Sequence, residues 1–422
     1  MASLRELIVE VNPWWRGELR LDYHERELYD TVQKFRSQRQ VIALVGLRRV
    51  GKTTLLLRLV RDAIDGGVDP RRILYFSFDE RDARIRDVLR EYESLFGRSS
   101  GDVDLVLLDE IQKLERWEDE LKSLYDLHKD RVRFVVSGSE SLFIRSGSRE
   151  TLGGRLFEFE VRPLSFREYL GFKGQAFEPA DLHERELSRL FDEFVITQGL
   201  PELVGVVDGD VITKYVRESI VERVVFRDLP ELLNVREVSV LHAVLNILME
   251  EPGQIIILSD LAGELGVTRQ TLSNYLTYLE EAFLVRKLYN YARNRRKTER
   301  KLKRYYPTLV SPGLTFRTDD LSRSRAFEWA VITQLRPEFF WRDPYGKEVD
   351  AVLVDDGAVP VEVKSGRIRT HGVTRFMEHF GVERGYVISR DVEETLKVDA
   401  GTVFVVPAYK ALLLGPTMTG EQ

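Results

Sequence analysis

Eight consecutive residues constrain this chain more than any others: Gly46-Leu47-Arg48-Arg49-Val50-Gly51-Lys52-Thr53 fits the pattern GxxxxGK[ST] in full. The motif sits between a short apolar run, VIALV at 41–45, and an apolar-periodic stretch, TTLLLRLVRDAI at 53–64. The first predicts a buried strand and the second a helix, so the glycine-rich segment bridges a strand end and a helix N-terminus. There the glycines let the backbone wrap phosphate groups, whose charge meets successive N–H groups and the positive end of the helix dipole. Gly46, Leu47, Arg48, Arg49, Val50, Gly51, Lys52, Thr53 and Thr54 are therefore the candidate cradle for ATP. Lys52 is expected to reach the β- and γ-phosphates, and the Thr53 hydroxyl to ligate Mg²⁺.

Further apolar runs at 72–78, 104–108 and 132–136, separated by helical stretches such as 115–129, predict an α/β domain with a parallel sheet ending near 161. DLVLLDE supplies Asp109 at a strand end, placed to hold the metal, and Glu110 as the general base that would orient and deprotonate an attacking water. The next strand ends in Ser137-Gly138-Ser139-Glu140-Ser141, where Ser139 is a candidate sensor of the γ-phosphate. Arg145, Arg149 and Arg155 follow, and Arg155 is the preferred candidate for offsetting transition-state charge.

These residues resemble AAA-type ATPases of archaea and bacteria that join a P-loop domain to a C-terminal domain long described as of unknown function. The likeness rests on Asn12-Pro13-Trp14-Trp15, the GLRRVGKTT loop, LLDEIQKL, the SGS turn, Gly154-Arg155 and PLSFREYL at 163–170. It implies an AAA-like sheet order and a role for Gly154-Arg155. Trp14 and Trp15 are candidates to approach the nucleotide base, with a packed amphipathic N-terminal segment as the plainer alternative.

At roughly 150 residues per domain, 422 residues imply two to four domains. With no cysteine, disulfides, thiolate nucleophiles and Cys-ligated zinc are excluded, and the six histidines are scattered. No apolar run approaches the ~18 residues that span a bilayer, and MASLRELIVEVN lacks the plan of a signal peptide, so a cytoplasmic protein with no membrane partner is expected. A formal net charge of −6 means that nucleic-acid contact requires a local basic patch.

Four segments are expected: a P-loop AAA-like domain at 1–162, a helical lid or linker at 163–236, a winged helix-turn-helix at 237–312 and a nuclease-like α/β domain at 313–422. In LSDLAGELGVTRQTLSNYLTYLEEAF, apolar residues at helical spacing flank a Gly266 turn. The second helix would present Thr268, Arg269, Gln270, Ser273 and Asn274 to DNA. Residues 286–304 hold ten Lys or Arg against one acid; Arg293, Arg295, Arg296 and Lys297 are the candidate phosphate contacts. Such modules also dock proteins, and self-assembly is compatible with this plan.

After a helix near 323–336, the runs FFWR, EVDAVLV and AVPVEVK predict strands. Glu362 and Lys364, two apart, share a face. Paired with Asp350, and with Glu328 on the preceding helix, they form an E…D…ExK set that resembles the PD-(D/E)xK restriction-endonuclease-like core. The resemblance implies Asp350 and Glu362 as metal ligands and Lys364 beside an attacking water. Ser311-Pro312-Gly313-Leu314 departs from the expected pattern, having no acid before Gly-Leu. Two functions follow: an ATPase that couples nucleotide state to DNA engagement through the winged helix and carries a nuclease-like domain able in principle to cut DNA, or a regulatory ATPase whose winged helix and degenerate nuclease fold bind proteins.

Overall fold

The run Val41–Val45 is buried at all five positions and forms β1, an interior strand of the sheet in a compact unit spanning Met1–Pro163. The computed structural model describes residues 3–17, 19–79, 83–128, 131–139, 152–175, 177, 179–233, 235–294, 302–355 and 357–415. Within the first unit, β2 (Ile73–Ser77), β3 (Leu105–Asp109), β4 (Arg133–Gly138) and β5 (Leu156–Glu160) complete a five-stranded sheet of order β2-β3-β4-β1-β5. Every pairing is parallel, so the domain is α/β with an AAA-like order. Strand β5 escaped the sequence reading: it is a half-exposed edge strand carrying Glu158 and Glu160, not a continuous apolar run.

The helix Lys52–Asp65 buries Leu55, Leu56, Leu59, Val60 and Ala63, the three-to-four spacing of a helix laid on a sheet. The opposite edge is sealed differently. The Asn12 amide donates to the Tyr75 carbonyl at 2.8 Å and its carbonyl oxygen accepts the Tyr75 N–H at 2.7 Å, a side chain imitating a neighbouring strand. Both indole N–H groups, of Trp14 and Trp15, donate to the Ile73 carbonyl. The tryptophans therefore pack on β2, three strands from β1. Their pairing to an exposed strand edge, which would otherwise template other strands, explains the position.

The second unit, Leu164–Gln422, is built on one nine-stranded mixed sheet. Its strands are β6 (Gln254–Ile256), β7 (Val285–Asn290), β8 (Lys303–Pro307), β9 (Phe339–Arg342), β10 (Glu348–Val354), β11 (Ala358–Lys364), β12 (Arg384–Ser389), β13 (Glu394–Val398) and β14 (Gly401–Pro407). They run in the order β13-β14-β12-β11-β10-β9-β7-β8-β6. Helices Val238–Glu250, Leu258–Glu264 and Arg269–Glu281 precede the β7–β8 hairpin.

Two expected boundaries dissolve here. Strand β7 pairs in parallel with β9, and the Asn290 side chain bonds both ways with the backbone of Arg342, so the hairpin and the C-terminal strands share a sheet. The segment 163–236 is not a separate helical domain either. Its Leu164, Phe166, Tyr169, Leu187, Leu190, Phe191 and Phe194 lie in one core with Trp329, Tyr386, Val406 and Tyr409. Helical periodicity shows that a face is apolar but not which partner covers it. Among the described residues no helix is long and apolar enough to cross a membrane.

Candidate nucleotide site and the carboxylate cluster

Strand β4 lies between β1 and β3, which brings its C-terminal turn between the glycine-rich loop and the acids of β3. Gly46 has φ +146°, and a Cβ there would collide with the Val161 carbonyl, so only glycine fits. The Lys52 ammonium donates to the carbonyls of Gly46 and Leu47 at 3.0 and 2.9 Å, spanning the loop from inside. Arg26, unassigned from sequence, clamps the loop from outside: its guanidinium donates to the Val50 carbonyl at 2.8 Å and the Arg162 carbonyl at 2.7 Å.

Asp109 is buried, and three hydroxyls converge on it: Thr53 at 2.7 Å, Tyr75 at 3.0 Å and Ser137. Burial raises its carboxyl above the ordinary range, the Glu110 charge adds to this, and the hydroxyls only partly offset it. Thr53, which is exposed, and the buried Asp109 present hard oxygen donors side by side, a set that fits Mg²⁺.

Glu110 follows with φ +54°, uncommon for a non-glycine residue and a frequent mark of function. Ser139 donates to both its oxygens, at 2.7 and 2.9 Å, and Gln112 donates at 2.7 Å. Burial favours the neutral acid, but the Lys52 ammonium, Ser139, Gln112 and Arg48 outweigh it and hold the carboxyl below its usual range. Sequence reasoning missed Arg26, Tyr75, Ser137 and Gln112. Only Ser137 and Gln112 carried a signal, as neighbours of Ser139 and of the Asp109-Glu110 pair.

Arg155 precedes β5, and its guanidinium pairs with Asp126 at 3.1 Å, so within this chain it is committed away from the loop. Glu140, Ser141, Arg145 and Arg149 lie outside the described residues, as do Arg295, Arg296 and Lys297.

In the second unit the basic run is only partly a surface. Lys287 pairs with Glu280 at 2.9 Å, Arg286 donates to the Arg336 carbonyl at 2.8 Å, and Arg304 is buried. Arg293, expected on DNA, donates to the Phe380 carbonyl at 2.6 Å and lies over the Phe380 ring. On the helix Arg269–Glu281, by contrast, Arg269, Gln270 and Asn274 are exposed, with Gln270 donating to Asn274 at 2.9 Å.

Asp350, Glu362 and Lys364 do come together, because β10 and β11 pair antiparallel. Lys364 lies 2.8 Å from Glu362 and 3.9 Å from Asp350, and against the pull of its own burial these acids hold its ammonium above the ordinary value. Yet Asp350 gives one oxygen to Arg304 at 3.2 Å and the other to the Val363 N–H at 2.8 Å. Glu328 accepts from the Tyr306 hydroxyl at 2.7 Å, and removal from water together with the Asp350 charge raises its carboxyl. Among the described residues, the one acid trio whose ligand atoms fall within 4.8 Å of each other is exposed Asp181, Glu184 and Glu393, and Lys410 already bridges it. With Arg304 on Asp350 and Lys364 on both Asp350 and Glu362, two side-chain cations already answer these acids, and as they stand Asp350 and Glu362 do not fit a divalent cation.

Comparison with known proteins agrees with the first unit. Residues 38–170 match the model of the AAA domain, and residues 188–315 match a domain of unknown function, DUF8612. The first unit is a P-loop domain of AAA type. Over 425 aligned residues, 92% of this chain and 88% of the relative, the chain is 26% identical to an uncharacterized protein of Methanocaldococcus jannaschii. An uncharacterized protein of Mycobacterium tuberculosis is 25% identical over 80% of this chain and 72% of its own length. Among solved structures, the replication initiator DnaA from Aquifex aeolicus, bound to AMPPCP, overlaps 62% of this chain and 90% of its own at 16% identity and a TM-score of 0.28.

Proposed function

We propose that the chain is a Mg²⁺-dependent ATP hydrolase. The observation that carries this is the Lys52–Glu110–Ser139 arrangement, in which a carboxylate held ionised lies under a serine at the end of the strand beside the loop. Lys52 exchanges its two loop carbonyls for phosphate oxygens. Thr53 and Asp109 would hold the magnesium ion, which offsets phosphate charge when bound. Glu110 accepts the proton of the attacking water, and Ser139, donating to both of its oxygens, holds the carboxylate in place. Arg155 contributes only by leaving Asp126, most simply for the phosphates of another copy. Lys52→Ala should abolish ATP binding measured by equilibrium dialysis; undiminished binding sinks the assignment.

DNA engagement is the second part of this reading. The helix–strand–helix–helix–hairpin order of 238–307 supports a winged helix, and Arg269, Gln270 and Asn274 supply an outward polar face. A regulatory switch that docks proteins is favoured by the engagement of Arg286, Lys287 and Arg304 within the fold. Duplex binding at low salt decides between them. The C-terminal acids, paired with Arg304 and Lys364, do not fit the metal that a cleavage step needs.

A further inference from the structure

We infer that Arg304 is a permanent counter-ion to Asp350, so that the nuclease-like cluster is an ion-pair hub fastening the β7–β8 hairpin to the C-terminal strands. This goes beyond the ATPase reading and does not depend on it. Arg304 lies on β8, flanked by Leu288 of β7 and Ile255 of β6, and is 5% exposed. Its two terminal nitrogens lie 3.2 Å from Asp350 and 3.2 Å from Glu348, and its guanidinium stacks 5.0 Å from the Phe340 ring centroid.

Tyr306 shares that face of β8, two residues on, and its hydroxyl meets Glu328. One face of one strand therefore answers three of the acids, while Lys364 answers one oxygen of Glu362, whose other oxygen is buried without a hydrogen-bond partner among the described residues. A guanidinium keeps its proton at any physiological pH, so it does not vacate the site by titration. A divalent cation entering beside it would meet like charge in a poorly solvated interior. The acids that resemble a nuclease centre are thereby redirected to holding two segments of the sheet together.

The test uses the full chain without nucleotide and carrying Asp109→Asn, which removes a ligand of the candidate magnesium site. Mn²⁺ binding is read by electron paramagnetic resonance, with Asp350→Asn added as the control. No Asp350-dependent site should fill at up to about 1 mM, the weak end of natural divalent sites. In parallel, Arg304→Met should lower Tm by about 10 °C by stranding a buried carboxylate, and adding Asp350→Asn should restore more than half of the loss. If Arg304→Met does not fold, a folded Arg304→Met/Asp350→Asn protein supports the hub equally. A Mn²⁺ site lost on Asp350→Asn overturns the inference, as does an Arg304→Met protein that melts like its parent, or a double variant with no recovery.

Discussion

Ser139 donates its hydroxyl to both oxygens of Glu110, at 2.7 and 2.9 Å, so the end of β4 aims the candidate base. Glu110→Gln removes the proton acceptor and should slow ATP hydrolysis about 10²-fold or more, with ATP affinity retained. Ser139→Ala leaves the carboxylate charged but less well oriented, and a loss of about 10-fold in kcat is expected. A Glu110→Gln protein that hydrolyses ATP at the parent rate would remove Glu110 from the mechanism.

Asp109 is buried and its carboxyl is raised, which gives a stability prediction with a definite sign. A carboxyl whose folded pKa exceeds its unfolded value of about 3.8 destabilises the fold once pH rises above that value. Asp109→Asn should therefore raise the Tm of the nucleotide-free protein at neutral pH. The gain should shrink as pH falls toward the ordinary carboxylate range, while Mg²⁺-dependent ATP binding weakens. Melting curves across pH check this, and a lower Tm at neutral pH contradicts it.

For DNA, affinity should fall with salt at a slope of about −0.9 per phosphate contacted, so about four contacts give roughly −3.6. Arg269→Ala and the triple substitution of Arg295, Arg296 and Lys297 should each flatten the slope. Arg293→Ala should flatten it less, because that side chain already donates to the Phe380 carbonyl. Fluorescence anisotropy over a salt series reads all three, and undetectable binding at low salt favours the protein-docking function.

Asn12 is fully buried and bonds the Ile8 carbonyl and both backbone groups of Tyr75. Asn12→Ala strands an N–H and two carbonyls and should cost about 3 kcal/mol in urea unfolding. Asn12→Asp should be no better, since a carboxylate cannot donate to the two carbonyls. A cost within 0.5 kcal/mol, about the spread of ordinary surface changes, would mean that the β2 edge is held by other contacts.

The sequence alone determined the nucleotide loop, because GxxxxGKT is a local solution: loop, strand and helix are contiguous, and Gly46 is dictated by one backbone approach. Asp109 and Glu110 were legible for the same reason, at the end of an apolar run. The AAA-like strand order followed from the resemblance, not from spacing, since no local pattern states that β4 enters between β1 and β3. What only the tertiary structure decided is which charges meet. Arg304 read as one more cation in a basic run, and Asp350 as a metal ligand, although the two are 46 positions apart and 3.2 Å from each other. Strand β5, the merging of 163–236 into the C-terminal core and the shared nine-stranded sheet were hidden likewise. Periodicity reveals that a face must be covered, and long-range pairing alone chooses its partner.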